Sequence, residues 1–155
     1  MSGLSFKIAD VLEEEGKLAV TQIVESMIAN NQWASGRTGT ALRVEATEES
    51  MIIYAPSYFE TLETGISPQM AQSESSFLRK KLYGWSIDKG ISFADQKERW
   101  RFSANASRVM QESGSRLFRS GGRKDVYSDK IDPLVERIKN RLSERIVNVK
   151  LITNG

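Results

Sequence analysis

The first 32 residues carry apolar side chains at the spacing of an amphipathic helix. These positions recur every three or four residues, which favours a helix over 4–32 with one hydrophobic face. They are Ile8, Val11, Leu12, Ala19, Ile23 and Met27. Ser2 or Ser5 is a suitable cap for its start, and Gly16 marks an expected weak point or bend. Because such a helix is about 42 Å long, we expect part of it to project or to pack on a neighbouring subunit.

A period of two residues replaces the helical period in the next segment. Apolar and charged side chains alternate over 42–46, and a second extended run over 51–55 follows three polar residues. This pattern predicts an antiparallel hairpin over 42–55. A short helix is expected after the hairpin, ending at Gly65, because glycine is well suited to a helix C-terminus.

The second half of the chain is predicted to be mainly helical. The polar stretch 69–76 is expected to form a surface loop or a frayed helix entry. A helix with a basic face follows from Phe77 and is expected to be interrupted at Gly84 and Gly90. The next helix is predicted over 95–118, although its apolar stripe drifts around the helix.

The C-terminal region combines a helix start signal with a later alternation. Asp132 is a favourable cap and Pro133 a favourable first residue, so a helix is predicted from this point. Val147, Val149 and Leu151 then alternate with other residues and predict a third strand over 147–152. The predicted fold class is therefore α+β, with a small antiparallel sheet, made of the hairpin plus the C-terminal strand, packed with long helices.

Composition places the chain among ordinary globular proteins. It has 155 residues, of which 39% are hydrophobic and 27% charged, and we expect one domain over 1–155. It contains no cysteine and no histidine, which excludes disulfides, the usual zinc ligands and imidazole bases. We expect no cofactor. No apolar run approaches the length that spans a bilayer and no export signal is recognisable, so a soluble protein without a membrane partner is expected.

Charge is distributed very unevenly along the chain. Residues 1–78 carry four basic and eleven acidic side chains, whereas residues 79–155 carry eighteen basic and nine acidic ones. Three interpretations remain open. The two halves attract each other within one fold, they attract each other between neighbouring copies, or the basic half binds an anionic partner such as nucleic acid.

Two segments could suggest catalytic or nucleotide-binding chemistry. The segment 36–40 is glycine-bearing and basic, but it lacks the spacing of a phosphate-binding loop and is better explained as an ordinary turn. Glu60 and Glu63 would be neighbours on one helical face. A two-carboxylate metal site or an acid/base pair is conceivable there, but a solvated or subunit-facing acidic surface is favoured.

Cations and aromatic residues alternate in the middle of the chain, as they do on nucleic-acid-binding surfaces. Trp85 and Trp100 lie among these cations and are equally suited to anchoring a core or an interface. A cationic loop follows, in which Arg116, Arg119, Arg123 and Lys124 surround two glycines. It is either a solvated connector or a clasp on an acidic neighbour.

Three segments together resemble the tail-completion or head-to-tail joining (neck) proteins of tailed bacteriophages. The first is the N-terminal amphipathic helix, and the second is the turn 36–39, with Thr38-Gly39, followed by a strand. The third is the end of the hairpin over 54–65, from Tyr54-Ala55 to an acidic-x-Gly element. The segment 123–128 before the final helix also resembles the C-terminal part of the family. The basic stretch at about 69–119 departs from the family pattern and is interpreted as an insertion.

The resemblance implies a structural virion protein without enzymatic activity. It would form a homo-oligomeric ring in the neck or upper tail and join the head to the tail, with phage DNA passing through the channel. Its expected partners are portal, adaptor or tail proteins, and it would be assembled in the bacterial host cytoplasm. The candidate subunit-interface residues are Glu60, Glu63, Trp85, Trp100, Arg116, Arg119, Arg123 and Lys124. The alternative is a nucleic-acid-binding accessory protein that uses the basic C-terminal half.

Overall fold

The computed structural model describes the backbone of residues 7–153 and the side chains of residues 7–144. This part of the chain is mostly helical and contains one two-stranded antiparallel hairpin. In chain order the elements are α1 (Ile8–Ala29), α2 (Arg37–Thr40), β1 (Arg43–Ala46), β2 (Met51–Tyr54), α3 (Thr61–Thr64), α4 (Pro68–Ser73), α5 (Ser75–Asp88), α6 (Gln96–Ser113), α7 (Arg116–Arg119) and α8 (Ser128–Thr153).

The predicted N-terminal helix is confirmed as α1. Its apolar stripe is buried as the spacing indicated, whereas the predicted caps Ser2 and Ser5 lie outside the described residues. The helix continues through Gly16, which is buried against the hairpin. A Cβ atom at this position would lie 2.6 Å from the sulfur of Met51 and 2.7 Å from a methyl group of Val44. Gly16 therefore allows the hairpin to approach α1 closely, and it does not interrupt the helix.

The hairpin is confirmed as β1 and β2, with Arg43 opposite Tyr54 and Ala46 opposite Met51. Its side chains alternate between exposed and half-buried along both strands, and both strands contact α1. The guanidinium of Arg43 lies 4.4 Å from the centre of the Tyr54 ring on the outer face. One face of this small sheet is thus covered by α1, as the period of two predicted.

Helices occupy the segment 69–76, where a surface loop or a frayed helix entry was expected. Ser67 caps the first of them, because its hydroxyl accepts a hydrogen bond from the Met70 N–H at 3.1 Å, and Pro68 occupies the first turn. The helix after it differs from prediction at Gly84, through which α5 passes, and agrees with it at Gly90, just before which α5 ends. A single glycine lowers helix propensity without ending a helix that packs on a neighbour.

The helix predicted over 95–118 ends earlier, at Ser113. Gly114 has a φ of 81°, in the left-handed region that favours glycine and ends helices. Ser115 then caps the short helix α7 through a hydrogen bond from the Phe118 N–H. The region between α6 and α8 therefore consists of α7 and a series of turns.

The predicted C-terminal strand over 147–152 is wrong, because this segment belongs to α8. No glycine or proline interrupts the chain from Leu134 to Thr153, so an established helix extends at little cost per residue. The predicted start was also wrong, since α8 begins at Ser128 and contains Pro133. The sheet therefore remains a two-stranded hairpin within the described backbone.

The hydrophobic core consists of two clusters. One is centred on Ile23, Met27 and Val126 and joins α1 to the start of α8. The other is centred on Ala71, Leu78 and Leu82 and lies within the helices α4, α5 and α6. Small polar side chains complete the second cluster: Ser86, Ser103 and Ser107 are buried where α5 packs against α6. The basic middle stretch thus forms a helical layer with its own core.

Candidate functional site

Glu63 lies at the centre of the molecule and closes the start of α8. Its side chain is only 4% exposed. One carboxylate oxygen accepts hydrogen bonds from the backbone N–H groups of Val126, Tyr127 and Ser128, at 3.1, 2.8 and 2.9 Å. The other oxygen accepts a hydrogen bond from the Ser128 hydroxyl. Ser128 is the first residue of α8, and its N–H is one of the groups that a helix start leaves without a partner. Val126 and Tyr127 lie just before it, so Glu63 holds the entry to α8 and caps its first residue from a distance of 65 residues along the chain.

The capping bonds keep this buried carboxylate ionised. Burial by itself raises the pKa of Glu63, but the hydrogen bonds from the Ser128 hydroxyl and the three backbone N–H groups outweigh it. The result is a pKa below the usual range for glutamate. The positive end of the α8 dipole favours the same charged form. Glu63 therefore acts as a fixed negative charge within the chain.

Arg123 completes this centre, which we call the Glu63 hub: Asn30, Glu63, Arg123, Asp125 and the backbone of 126–128. The Arg123 N–H donates to the backbone carbonyl of Glu63 at 2.8 Å. Its guanidinium binds both carboxylate oxygens of Asp125, at 2.6 and 2.8 Å, and also binds the side-chain oxygen of Asn30. The guanidinium hydrogen bond lowers the pKa of Asp125 to about 2. The loop 120–127 is thus tied to both α1 and α3.

Contacts join the segments on which the family resemblance rests. The hydroxyl of Thr38, in the turn 36–39, lies 3.0 Å from that of Tyr58 at the surface. Phe59 of the segment 54–65 packs on Tyr127 of the segment 123–128, with ring centres 5.0 Å apart. Leu42 and both of these rings pack on the buried cluster that α1 shares with Val126. Segments separated by up to about 90 residues in sequence therefore meet around this cluster, beside the hub.

Glycines allow the parts of this centre to touch. Gly65 has a φ of 74°, and a Cβ there would collide with the backbone nitrogen of Phe118 and lie 2.7 Å from the Ser115 hydroxyl oxygen. Gly122 has a φ of 78°, and a Cβ there would lie 2.7 Å from the carbonyl oxygen of Glu63. The C-terminus of α3 thus packs directly against the backbone of α7 and the loop after it.

The eight candidate interface residues have different environments. Glu63 and Arg123 are engaged inside the hub, so a subunit-facing role for the Glu63 carboxylate is wrong, since burial removes it from the surface. Glu60, one turn away, is exposed. Three cations on or after α7 are also exposed: Arg116, Arg119 and Lys124. These four residues surround the hub on its outside.

The two tryptophans lie in the helical layer and not at the hub. Trp85 is 41% exposed on α5. Trp100 on α6 is half-buried and stacks on Tyr83, with ring centres 4.3 Å apart. Its ring also supports the guanidinium of Arg79, 5.0 Å from the ring centre. Trp100 is therefore both part of the α5–α6 packing and part of a cationic surface.

A second buried carboxylate, which the sequence did not single out, joins α1 to α8. Glu15 is 6% exposed and accepts hydrogen bonds from Arg137 at 2.7 Å and Arg141 at 3.0 Å. Burial alone raises the pKa of Glu15, but the two guanidinium groups hold it below the usual range. Arg141 also binds Glu14 at 2.6 Å. Part of the charge asymmetry is thus neutralised within the fold, which is the first of the three interpretations above.

An open groove of about 750 Å³ lies on the outer face of α5 and α6. It is lined by Ser76, Arg79, Lys80, Gln96, Lys97 and Trp100. The sequence indicated a basic face here but not a concave one. A smaller groove of about 420 Å³ lies between α1 and α8, beside Glu25 and Lys130.

Neither a carboxylate cluster suited to a metal ion nor a membrane-spanning helix occurs among the described residues. Within 7–144, no three Asp or Glu side chains are close enough together to hold a metal ion. None of the helices in the described part is long and apolar enough to cross a bilayer. The glycine-bearing segment considered as a phosphate loop is the short helix α2, preceded by Gly36 with a φ of 80°.

No protein-family model, curated protein or solved structure matches this chain. The family resemblance therefore stays a prediction.

Proposed function

We propose that this protein is a structural component of a tailed-phage virion. In this proposal it forms a ring in the neck or upper tail and joins the portal to the tail. The observation that supports the proposal is that the resembling segments pack together around the buried cluster beside the Glu63 hub. Segments inherited as one structural unit are expected to pack together in this way.

The proposed role is mechanical, and the hub suits it. A ring subunit must hold its contact surfaces at fixed angles, because small errors in angle prevent closure. Four hydrogen bonds to Glu63 and three from the Arg123 guanidinium fix α3, the loop 120–127 and α8 relative to one another. The short helix α7 directly precedes the loop 120–127 and is therefore attached to this hydrogen-bonded centre.

The surface around the hub provides the candidate contacts. Arg116 and Arg119 are exposed on α7, with Phe118 41% exposed between them. An apolar side chain flanked by arginines is typical of an interface anchor. The acidic partner would come from the next copy, with Glu60 as a candidate. Such a contact joins two different patches, so it produces a ring when the rotation between copies closes.

Charge reversal on α7 tests this arrangement. We expect the wild-type protein, alone or with its portal, to form annular particles visible by electron microscopy. The double variant Arg116→Glu/Arg119→Glu should lose the large species in light scattering and keep the wild-type circular dichroism. The matched control is Lys17→Glu/Lys139→Glu, which reverses two exposed cations on other helices.

Two outcomes would contradict the proposal. One is a wild-type protein that stays monomeric both alone and with portal. The other is equal loss of assembly in the α7 variant and the control, which would mean that assembly depends on net charge and not on the α7 surface.

A further inference from the structure

The groove on α5 and α6 has a cationic lining that follows directly from helical spacing. Ser76, Arg79 and Lys80 lie at positions i, i+3 and i+4 of α5, so they share one face. Gln96, Lys97 and Trp100 stand in a similar relation on α6. The two faces adjoin along the antiparallel helix pair and form the groove. Every polar side chain of this lining can donate a hydrogen bond, and none is a carboxylate.

The three cations of the groove form no salt bridge with a carboxylate of residues 7–144; they are Arg79, Lys80 and Lys97. Arg101 on α6, which lies outside the lining, has none among these residues either. Outside the groove, Lys81 on α5 binds Glu74 at 2.8 Å, and Arg108 on α6 binds Glu112 at 3.1 Å. Three positive charges without a salt-bridge partner among residues 7–144 thus lie together on one shallow, open surface.

Part of this surface is held in position by aromatic packing. The guanidinium of Arg79 rests on the Trp100 ring, which in turn stacks on Tyr83. Arg99, behind them, donates to the Ser86 hydroxyl at 2.9 Å and packs on Phe93. A cation held by a ring loses less conformational freedom when it binds an anion. Arg79 is therefore pre-organised toward the groove.

We propose that the α5–α6 groove binds the sugar-phosphate backbone of duplex DNA. Phosphate contacts in protein–DNA complexes come mainly from Arg, Lys and small hydrogen-bonding side chains, which is the composition of this lining. Lysine is depleted at protein–protein interfaces, and two of the three cations here are lysines. Single-stranded DNA is favoured by open aromatic platforms, whereas the one aromatic ring of this groove is engaged by Tyr83 and Arg79.

This inference does not rest on ring formation. A monomer carries the whole groove, since all six lining residues come from one pair of helices. The binding affinity is expected to depend little on the DNA sequence, because backbone phosphates carry no base information.

The experiment compares two charge-matched variants in binding to a fluorescein-labelled 30-base-pair duplex of arbitrary sequence. Arg79→Gln/Lys97→Gln removes one Arg and one Lys from the groove. Lys81→Gln/Arg108→Gln removes one Arg and one Lys from the same two helices outside it. Fluorescence anisotropy is measured from 20 to 300 mM salt, and light scattering on the same samples reports the oligomeric state.

We expect the groove variant to lose roughly 10- to 100-fold in affinity near 100 mM salt, with a slope of log K against log salt that is shallower by about 2. The control should keep the wild-type slope. A single-stranded 30-mer should bind more weakly than the duplex to the wild type.

Three results would overturn the proposal. The first is no duplex binding by the wild type at 20 mM salt, and the second is an equal effect of both variants. The third is unchanged DNA affinity with loss of self-association in the groove variant, which would make the groove a contact for the acidic surface of a second copy. Assembly without DNA binding would leave the proposed ring intact, so the two failures are distinguishable.

Discussion

The Glu63 hub and the α5–α6 groove use charged residues in opposite ways. In the hub, a buried carboxylate has four hydrogen-bond donors around it. In the groove, three cations face solvent without a carboxylate among the described residues. The comparison shows that a buried charge requires partners within the chain, whereas an exposed charge can occur with or without one.

The physical reason is the difference in solvation. A buried ion without partners destabilises the folded state by several kcal/mol, and in both Glu63 and Glu15 each carboxylate oxygen accepts at least one hydrogen bond. An exposed ammonium or guanidinium group remains hydrated and needs no partner from the protein. A cluster of exposed cations therefore contributes little to the fold and is available for binding an anion.

Removing the hub carboxylate should have the largest effect on stability. We expect Glu63→Ala to lower the free energy of unfolding by about 4 kcal/mol, because it leaves several buried N–H groups at the start of α8 without an acceptor. Thermal unfolding followed by circular dichroism measures this. The control is Glu60→Ala, which removes an exposed carboxylate one turn away and should change stability by less than about 0.5 kcal/mol. Equal effects of the two substitutions would contradict the capping role.

Removing the second buried carboxylate should have a smaller effect. We expect Glu15→Ala to lower the free energy of unfolding by about 2 kcal/mol, since it separates Arg137 and Arg141 from their shared partner. The loss is smaller than at Glu63 because both arginines are about one-third exposed and can be solvated by water. Glu14→Ala, which removes only the exposed partner of Arg141, is the control in urea titrations. A stability of Glu15→Ala equal to that of the control would show that the α1–α8 contact does not depend on this ion pair.

Lowering the pH should reduce the contribution of the Glu63 hub to stability and leave that of the α5–α6 groove unchanged. The folded pKa of Glu63 lies below its unfolded value, so its contribution to stability is complete above the unfolded pKa and is lost as pH falls through the folded pKa. Asp125, with a pKa of about 2, loses its contribution at lower pH still. We expect the unfolding free energy of the wild type to fall below about pH 4. Glu63→Gln should show a shallower fall, whereas Arg79→Gln/Lys97→Gln should keep the wild-type slope. Parallel pH profiles for wild type and Glu63→Gln would exclude Glu63 as a titrating anchor.

Prediction from sequence succeeded where the signal was local. The apolar stripe of α1 and the alternation of the hairpin are periodic patterns that can be recognised within each segment alone. Gly65 ends α3 as a helix C-terminal glycine should. The candidate site was only partly predictable. Glu60, Arg116, Arg119 and Lys124 are at the surface as a charged residue normally is, but Glu63 and Arg123 are distinguished from them by nothing in their own segments.

Predictions of secondary structure were wrong where two local signals competed. The alternation over 147–152 resembled a strand, but this segment follows an uninterrupted helix and extends it. Asp132 and Pro133 resembled a helix start, but the capping of 126–128 by Glu63 begins α8 earlier. A pattern in a short segment carries no information on what a distant residue will supply.

The sequence by itself determined the helical and hairpin periods, the faces that are apolar, and the unequal distribution of charge along the chain. Only the tertiary structure decided which charges are neutralised internally and which remain at the surface. The reason is that this choice depends on burial and on contacts such as that of Glu63 with Ser128, 65 residues away, and burial is a property of the packed chain and not of any one segment.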